Sequence, residues 1–162
     1  MSNTTNDAEP FVLFELAGTT YGVRSSAVQQ MEMIEHITPV PNAPPAVEGV
    51  VLARGQVIPA LSLRARFGFG KIPYDLRARL VVVSSEGRTI GLIVDTAREF
   101  IRIPATAIEP PPEAITGLSG KYLEGIANLD GRMILVLDLN EVIDIGDQHA
   151  AVNVERLSEA NG

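Results

Sequence analysis

Short apolar segments alternate with turn signals along most of the chain. Segments such as Phe11–Leu16, Leu80–Val83 and Met133–Leu137 have the length and the residue types of β-strands. Turn signals recur about every ten residues, a spacing typical of proteins built from short strands. Four of these signals end in glycine: Ala17-Gly18, Arg54-Gly55, Glu86-Gly87 and Asp130-Gly131. The pattern predicts an all-β protein with minor helices, built from small barrels.

Helical signals are few and short. A serine of the pair Ser25-Ser26 could cap a short helix that runs through Met31. The segment Ser62–Gly68 predicts one helical turn, and Asp138 or Asn140 could cap a helix near residue 140. We therefore expect helices only as short connections between strands.

The chain contains an internal repeat. Residues Glu48–Leu63 align with Glu124–Leu139 at an offset of 76, with six identical positions. In the same order, Thr20–Val23 aligns with Thr89–Leu92 at an offset of 69. The repeat predicts two related β-subdomains of roughly 65 to 75 residues, which are small enough to need a shared hydrophobic core.

The sequence also suggests boundaries. We expect residues 1–10 to form a flexible arm, residues 11–145 the duplicated domain, and residues 146–162 a helical or disordered segment. The subdomains divide near residues 75–78, and exchange of strands between them is left open. The N-terminal segment lacks the features of a signal peptide, and no aliphatic run approaches the ~18 residues of a membrane span. These features predict a cytoplasmic protein.

The chemistry available to this chain is limited. It has no cysteine and only two histidines, so disulfides, thiolate nucleophiles and cysteine-based metal sites are excluded. A net charge of -7 argues against general binding to nucleic acid or anionic lipid. No phosphate loop or hydrolase serine motif is present, and we expect neither a cofactor nor a metal. The composition favours a binding module over an enzyme, with a hydrolase that uses a carboxylate such as Asp95 as the remaining alternative.

The arginine in one of the four turns is unexpected. A tight hairpin favours Asn, Asp or Gly beside its glycine, and the second copy of the repeat has Asp130 before Gly131. The first copy has Arg54 before Gly55, although both glycines suit the turn. Arg54 is therefore either a solubilising charge at an exposed tip or a residue that contacts a partner.

A set of motifs in a fixed order resembles the CheW family of bacterial chemotaxis coupling proteins. The resemblance covers the chain from about Phe11 to Ile145. The motifs are Phe11–Phe14, Tyr21–Val23, Glu48–Val50, Arg54–Pro59, Ser62–Arg64, Gly91–Asp95, Tyr122–Ile126 and Asp130–Met133. The resemblance implies two five-stranded β-barrel subdomains that share a hydrophobic core. It also implies a non-catalytic adaptor, which joins the cytoplasmic tip of methyl-accepting chemoreceptors to the regulatory domain of a CheA-type histidine kinase in arrays on the inner face of the membrane.

The same resemblance implies a receptor-binding groove. Its residues in this chain are Arg54, Val28, Gly49, Val50 and Val57. An apolar groove of this kind could receive an amphipathic helical hairpin, although ordinary core packing is the alternative for each aliphatic residue.

The chain departs from the family pattern at three positions near this groove. Leu52 stands where asparagine is usual, Ser62 where aspartate is usual, and Gln30 where glutamate is common. These departures leave open a divergent adaptor of a pilus-type or other chemosensory pathway. They also leave open an array modulator that binds the kinase but not receptors.

Overall fold

The computed structural model describes residues 8–70, 72–112 and 120–144. The expectations for residues 1–7 and 146–162 lie outside the described residues. The expectation of a flexible arm up to residue 10 is wrong for its last three residues, because the first strand begins at Ala8. Ala8 and Pro104 are partners in an antiparallel pair, so backbone pairing extends the strand beyond its apolar segment.

The described chain forms eleven strands and two short α-helices. In chain order these are β1 (Ala8–Leu16), β2 (Thr19–Arg24), β3 (Val28–Met33), β4 (Val47–Ala53), β5 (Gln56–Ser62), α1 (Leu63–Arg66), β6 (Arg79–Ser85), β7 (Arg88–Val94), β8 (Thr96–Pro104), β9 (Ile108–Glu109), β10 (Leu123–Leu129), β11 (Arg132–Leu137) and α2 (Leu139–Val142). The prediction of a mostly β protein with minor helices is confirmed.

The strands form two open sheets. The first sheet has six strands in the order β8-β1-β2-β11-β10-β9, and the second has five in the order β3-β6-β7-β5-β4. Within the described residues, no backbone pairing joins the two edge strands of either sheet. The prediction of two five-stranded barrels is therefore confirmed only as two β-sheets, and their closure into barrels is not.

The two sheets exchange strands. The β1–β2 hairpin lies in the first sheet with β8, β10 and β11, whereas the β6–β7 hairpin lies in the second sheet with β3, β4 and β5. The parallel pairs that join the exchanged hairpins have equivalent registers. Val136 pairs with Gly22 in the first sheet, and Ala60 pairs with Gly91 in the second. These pairs are related by the same offsets as the sequence repeat, which supports its origin in a duplication.

Alternation along β1 shows how the core is shared. Successive side chains of a strand point to opposite faces of the sheet. Phe11 and Leu13 pack into a cluster that belongs to the first sheet alone. Val12 and Phe14 pack with Leu92 of β7 and other residues of the second sheet. A hydrophobic core therefore lies between the two sheets, as the sequence predicts.

The short helices agree with the sequence in two cases out of three. Ser62 caps α1 by accepting a hydrogen bond from the Ala65 N–H at 3.2 Å, and Asp138 caps α2. The helix predicted after Ser25 is wrong, because only Ser25–Ala27 form a 3₁₀ turn and β3 follows. Pairing of β3 with the valine-rich strand β6 outweighs the local capping signal.

Candidate partner-binding site

Arg54 lies at the exposed tip of the β4–β5 hairpin. Arg54 and Gly55 have φ values of 51° and 78°, and the two residues of the β10–β11 turn have positive φ as well. Turns of this type favour glycine, asparagine or aspartate, so the backbone conformation of the turn does not require an arginine. Within the described residues, the Arg54 side chain makes no hydrogen bond or ion pair. Its guanidinium is therefore available to a partner.

An apolar surface lies directly behind this tip. Leu52 and Val57 are cross-strand partners on β4 and β5, and their side chains are 70% and 69% exposed. Together with Met33, which is 53% exposed, they line a groove of about 370 Å³ that we call the apolar groove. Neighbouring exposed apolar side chains of this kind typically mark an interaction surface.

The rim of the apolar groove is acidic. Glu32 and Glu35, at the end of β3 and just after it, line the groove together with His36. The groove thus joins an aliphatic wall to two carboxylates on one side, with the Arg54 guanidinium beyond it at the hairpin tip. Such a surface can bury the apolar face of a helix and pair with charges along the edges of that helix.

Four of the five predicted groove residues lie on the β4–β5 hairpin, and three of these lie at its surface. Val57 and the half-buried Val50 line the apolar groove, and Arg54 lies at the tip. Val28 does not line the groove, because it packs against the core between the sheets. It starts β3 and pairs with Val83.

Gly49 is a buried backbone residue. A Cβ atom added there would lie 2.1 Å from the Thr38 carbonyl oxygen, so no side chain fits. The Thr38 and Val50 backbones exchange two hydrogen bonds of 2.9 Å beside it. Gly49 therefore allows the chain before β4 to lie against the strand.

The local sequence does not single out Leu52 and Met33 as exposed apolar side chains of the groove. Leu52 was noted only as a departure from a family pattern. Strand residues at equal distances from a two-residue turn face each other across the hairpin, so Leu52 and Val57 could have been recognised as a pair. The exposure of Met33 depends on the position of β3 at a sheet edge, which the local sequence does not reveal.

Asp95, the candidate carboxylate of the hydrolase alternative, is engaged in the fold. Its two oxygens accept hydrogen bonds of 2.8 Å from Nε and Nη2 of Arg64, and Oδ2 accepts one of 2.9 Å from the Ala17 N–H. Burial raises the pKa of Asp95, but the bonds from Arg64 and Ala17 outweigh burial and hold this pKa below its ordinary value. The carboxylate is thus a stable ionised tie between α1 and the β1–β2 turn, which argues against a role as a general acid.

Among the described residues, no group of three or more His, Cys, Asp or Glu side chains could hold a metal ion. No helix of this part of the chain has the length and apolar character needed to cross a membrane.

The fold and the site define a class of protein: a duplicated two-sheet β-domain whose most distinctive surface is suited to protein contacts. Residues 10–147 match the model of the CheW-like domain, and the chain belongs to that family. The match confirms the resemblance in the sequence motifs. Together with the relatives below, the match identifies this chain as a chemotaxis coupling adaptor. The alternatives, a divergent adaptor of another chemosensory pathway and an array modulator that binds only the kinase, are not favoured.

Individual relatives cover nearly the whole chain. "Chemotaxis protein CheW" of Klebsiella aerogenes is 27% identical over 148 residues, which are 91% of this chain and 89% of that protein. "Protein FrzA" of Myxococcus xanthus is 28% identical over 144 residues, 88% of this chain and 89% of that protein. The crystal structure of the scaffolding protein TtCheW from Thermoanaerobacter tengcongensis superimposes with a TM-score of 0.78 at 35% sequence identity, covering 85% of this chain and 93% of that one.

Proposed function

We propose that this protein joins the cytoplasmic tip of methyl-accepting chemoreceptors to the regulatory domain of a CheA-type histidine kinase. The observation that carries the proposal is the match of the complete duplicated domain to a family of chemotaxis adaptors. The adaptor works by binding alone, without catalysis, cofactor or metal. Its place of action is the receptor array at the inner face of the membrane.

The receptor-binding site in this proposal is the β4–β5 hairpin. Val50 and Val57 contact the apolar face of the receptor hairpin in the apolar groove, and Arg54 contacts its polar edge. Leu52 adds apolar area next to Val57, because the two side chains are cross-strand partners and largely exposed. Val28 and Gly49 act from behind the surface, through the packing of β3 and β4 respectively.

The binding unit is the domain at residues 11–145 as a whole. Its two sheets share a core, so the groove on the second sheet depends on residues from both halves of the chain. We therefore expect partner binding to need the complete domain rather than either half.

A reconstitution experiment tests the proposed function. Full-length protein would be mixed with its cognate kinase and with a receptor fragment that contains the cytoplasmic tip. Formation of a ternary complex by analytical ultracentrifugation, with a change in kinase autophosphorylation, is the expected result. Absence of binding to both partners, under conditions in which another CheW-like protein binds them, would contradict the proposal. Kinase binding without receptor binding would instead indicate an array modulator.

The location of the site is tested by a matched pair of variants. Val57→Ser removes apolar surface from the groove, whereas Leu76→Ser removes it from a side chain that is 82% exposed in the connection before β6. Val57→Ser should weaken receptor binding roughly tenfold, which corresponds to about 1.4 kcal/mol for the loss of a buried aliphatic contact. Leu76→Ser should leave receptor affinity unchanged. Equal effects of the two substitutions would remove the groove from the receptor site.

A further inference from the structure

The sulfur chemistry of this chain is confined to methionine. The sequence has four methionines and no cysteine, so an oxidant meets no thiol that would react with it first. Three of the four methionines lie within the described residues: Met31, Met33 and Met133. All three are exposed, although methionine is among the residue types most often buried in a protein core. Their thioether sulfurs are therefore accessible to a two-electron oxidant.

Met33 differs from the other two methionines in its position. It ends β3, an edge strand of the second sheet, and its side chain is 53% exposed. It lines the apolar groove together with Leu52 and Val57, so its thioether belongs to a surface of aliphatic side chains. Met31 lies two residues earlier on the same strand and does not line the groove.

Met133 is an internal control for Met33. Its side chain is 54% exposed, and it occupies in β11 the position that Val57 occupies in β5, 76 residues earlier. Its cross-strand partner is the polar Asn128, which is the equivalent of Leu52. Met133 therefore has nearly the same exposure as Met33 but lies outside the apolar groove.

We propose that Met33 is an oxidation site, and that its conversion to the sulfoxide by a peroxide weakens partner binding in the apolar groove. The thioether sulfur attacks one oxygen of hydrogen peroxide, so that the O–O bond breaks and a sulfur–oxygen bond forms. The sulfur loses two electrons to the peroxide, and the departing hydroxide takes the proton of the transferred oxygen and leaves as water. Methionine sulfoxide reductases reverse the change. The inference rests on the proposed function only for the identity of the partner.

The sulfoxide makes one point of an apolar surface polar. Its oxygen accepts hydrogen bonds from water in the free protein. The apolar face of a helix in the groove would remove this water without supplying a donor, and burial of an unpaired polar group costs free energy. Met33 lies on an edge strand and is half exposed, so the added oxygen needs no rearrangement of the core. Oxidation should therefore weaken binding while the domain stays folded.

The first part of the test needs no partner. The protein alone is treated with hydrogen peroxide, and peptide mapping by mass spectrometry follows each methionine in the folded chain and in urea. We expect Met33 and Met133 to oxidise at rates within about fivefold of their rates in the unfolded chain, because about half of each side chain is exposed. Protection of Met33 well beyond that range would overturn the inference.

The second part measures affinity for the receptor fragment and for the kinase by isothermal titration calorimetry. Peroxide is removed before mixing, so that only the adaptor is oxidised. Oxidation should lower the affinity for the partner that binds the groove at least about fivefold, equivalent to about 1 kcal/mol. Met33→Leu should remove this sensitivity, whereas the matched control Met133→Leu should keep it. Met33→Gln, a polar substitution of similar length, should weaken binding without any oxidant, and reduction by methionine sulfoxide reductases should restore the oxidised protein.

The outcomes separate the two proposals. Binding of the receptor fragment with equal affinity before and after oxidation of Met33 would overturn the inference and leave the proposed function intact. A loss of affinity that persists in Met33→Leu, or that accompanies loss of the cooperative thermal transition, would also overturn the inference. If the untreated protein bound the kinase but not the receptor fragment, the proposed function would need revision. A loss of kinase affinity that depends on Met33 would still support the inference in that case.

Discussion

At the scale of single residues, the backbone conformation at Arg54 does not explain why this position has an arginine. Its φ of 51° lies in the left-handed region, which costs a residue other than glycine about 1 kcal/mol or more. Its side chain makes no compensating hydrogen bond or ion pair within the described part of the chain. Ala17 and Glu86 meet the same backbone cost at the corresponding turns, so the exposed side chain of Arg54, rather than its backbone, is the feature that variants must test.

Substitution of Arg54 should therefore affect binding more than stability. We expect Arg54→Ala to change the free energy of unfolding by no more than about 0.5 kcal/mol, because both residues meet the same backbone cost at an exposed site. Partner binding should weaken by roughly 2 kcal/mol or more if the side chain lies at the centre of an interface. Arg54→Glu should weaken binding further, and Arg54→Lys should restore it only in part because lysine has no planar fork.

Melting temperatures and affinities of these variants provide the measurement. Asp130→Ala is the matched control, since Asp130 has a similar φ of 54° at the equivalent turn position. A large loss of melting temperature in Arg54→Ala would make Arg54 a structural residue. Normal affinities in all three variants would leave it as a solvated charge.

The tie between Asp95 and Arg64 should make stability depend on pH. The pKa of Asp95 is lowered in the folded state, so its contribution is present above the unfolded pKa of about 3.9 and is lost as pH falls through the folded value. Asp95→Asn should therefore be less stable than wild type at pH 7, and the difference should narrow below about pH 4. Urea unfolding at pH 7, 5 and 3.5 measures this, with Glu99→Gln as a control at an exposed ion pair. A constant difference across that range would show that the charge of Asp95 does not matter.

At the scale of elements, two equivalent glycines determine how a connecting segment meets the following hairpin. A Cβ atom at Gly49 would lie 2.1 Å from the Thr38 carbonyl oxygen, and one at Gly125 would lie 2.7 Å from the Glu109 carbonyl oxygen. The two residues are 76 positions apart and match in the sequence repeat. The duplication has kept the same close backbone approach in both sheets.

Gly49→Ala should consequently destabilise the fold by at least about 2 kcal/mol, because the neighbouring atoms belong to the backbone and cannot move independently. Gly70→Ala is a suitable control, since a Cβ atom there would meet nothing within 4 Å. Chemical denaturation of the two variants checks the expectation. Loss of partner binding in a Gly49→Ala variant of wild-type stability would indicate a direct contact instead.

Local patterns predict the strands and turns of this protein well, but not the partners of the strands. The turn at Asp130-Gly131 follows from two residues, and α2 from its Asp138 cap. The pairing of β1 with β8 depends on residues far apart in sequence, so the exchange between sheets could not be derived. The same limit explains Val28: its aliphatic side chain fits a groove or a core equally well, and only the position of β3 decides for the core.

At the scale of the whole molecule, exchanged hairpins make the two halves of the chain interdependent. A cut between residues 77 and 78 would separate four strand pairings: β1 with β8, β2 with β11, β3 with β6 and β5 with β7. It would also divide the core between the sheets, where Phe14 of the first half packs with Val81 and Leu92 of the second. Each half would retain hairpins that expose most of their apolar surface.

Expression of residues 1–77 and residues 78–162 as separate fragments should therefore give unfolded or aggregating chains. Small β-units without their sheet neighbours lack the buried area for independent stability. Mixing the two fragments in equal amounts should restore β-sheet circular dichroism and a cooperative thermal transition, because each fragment supplies the strand edges that the other lacks. Two fragments that fold cooperatively alone would contradict the interdependence of the halves. A mixture that stays unfolded would show that the connection between α1 and β6 is needed to bring the exchanged hairpins together.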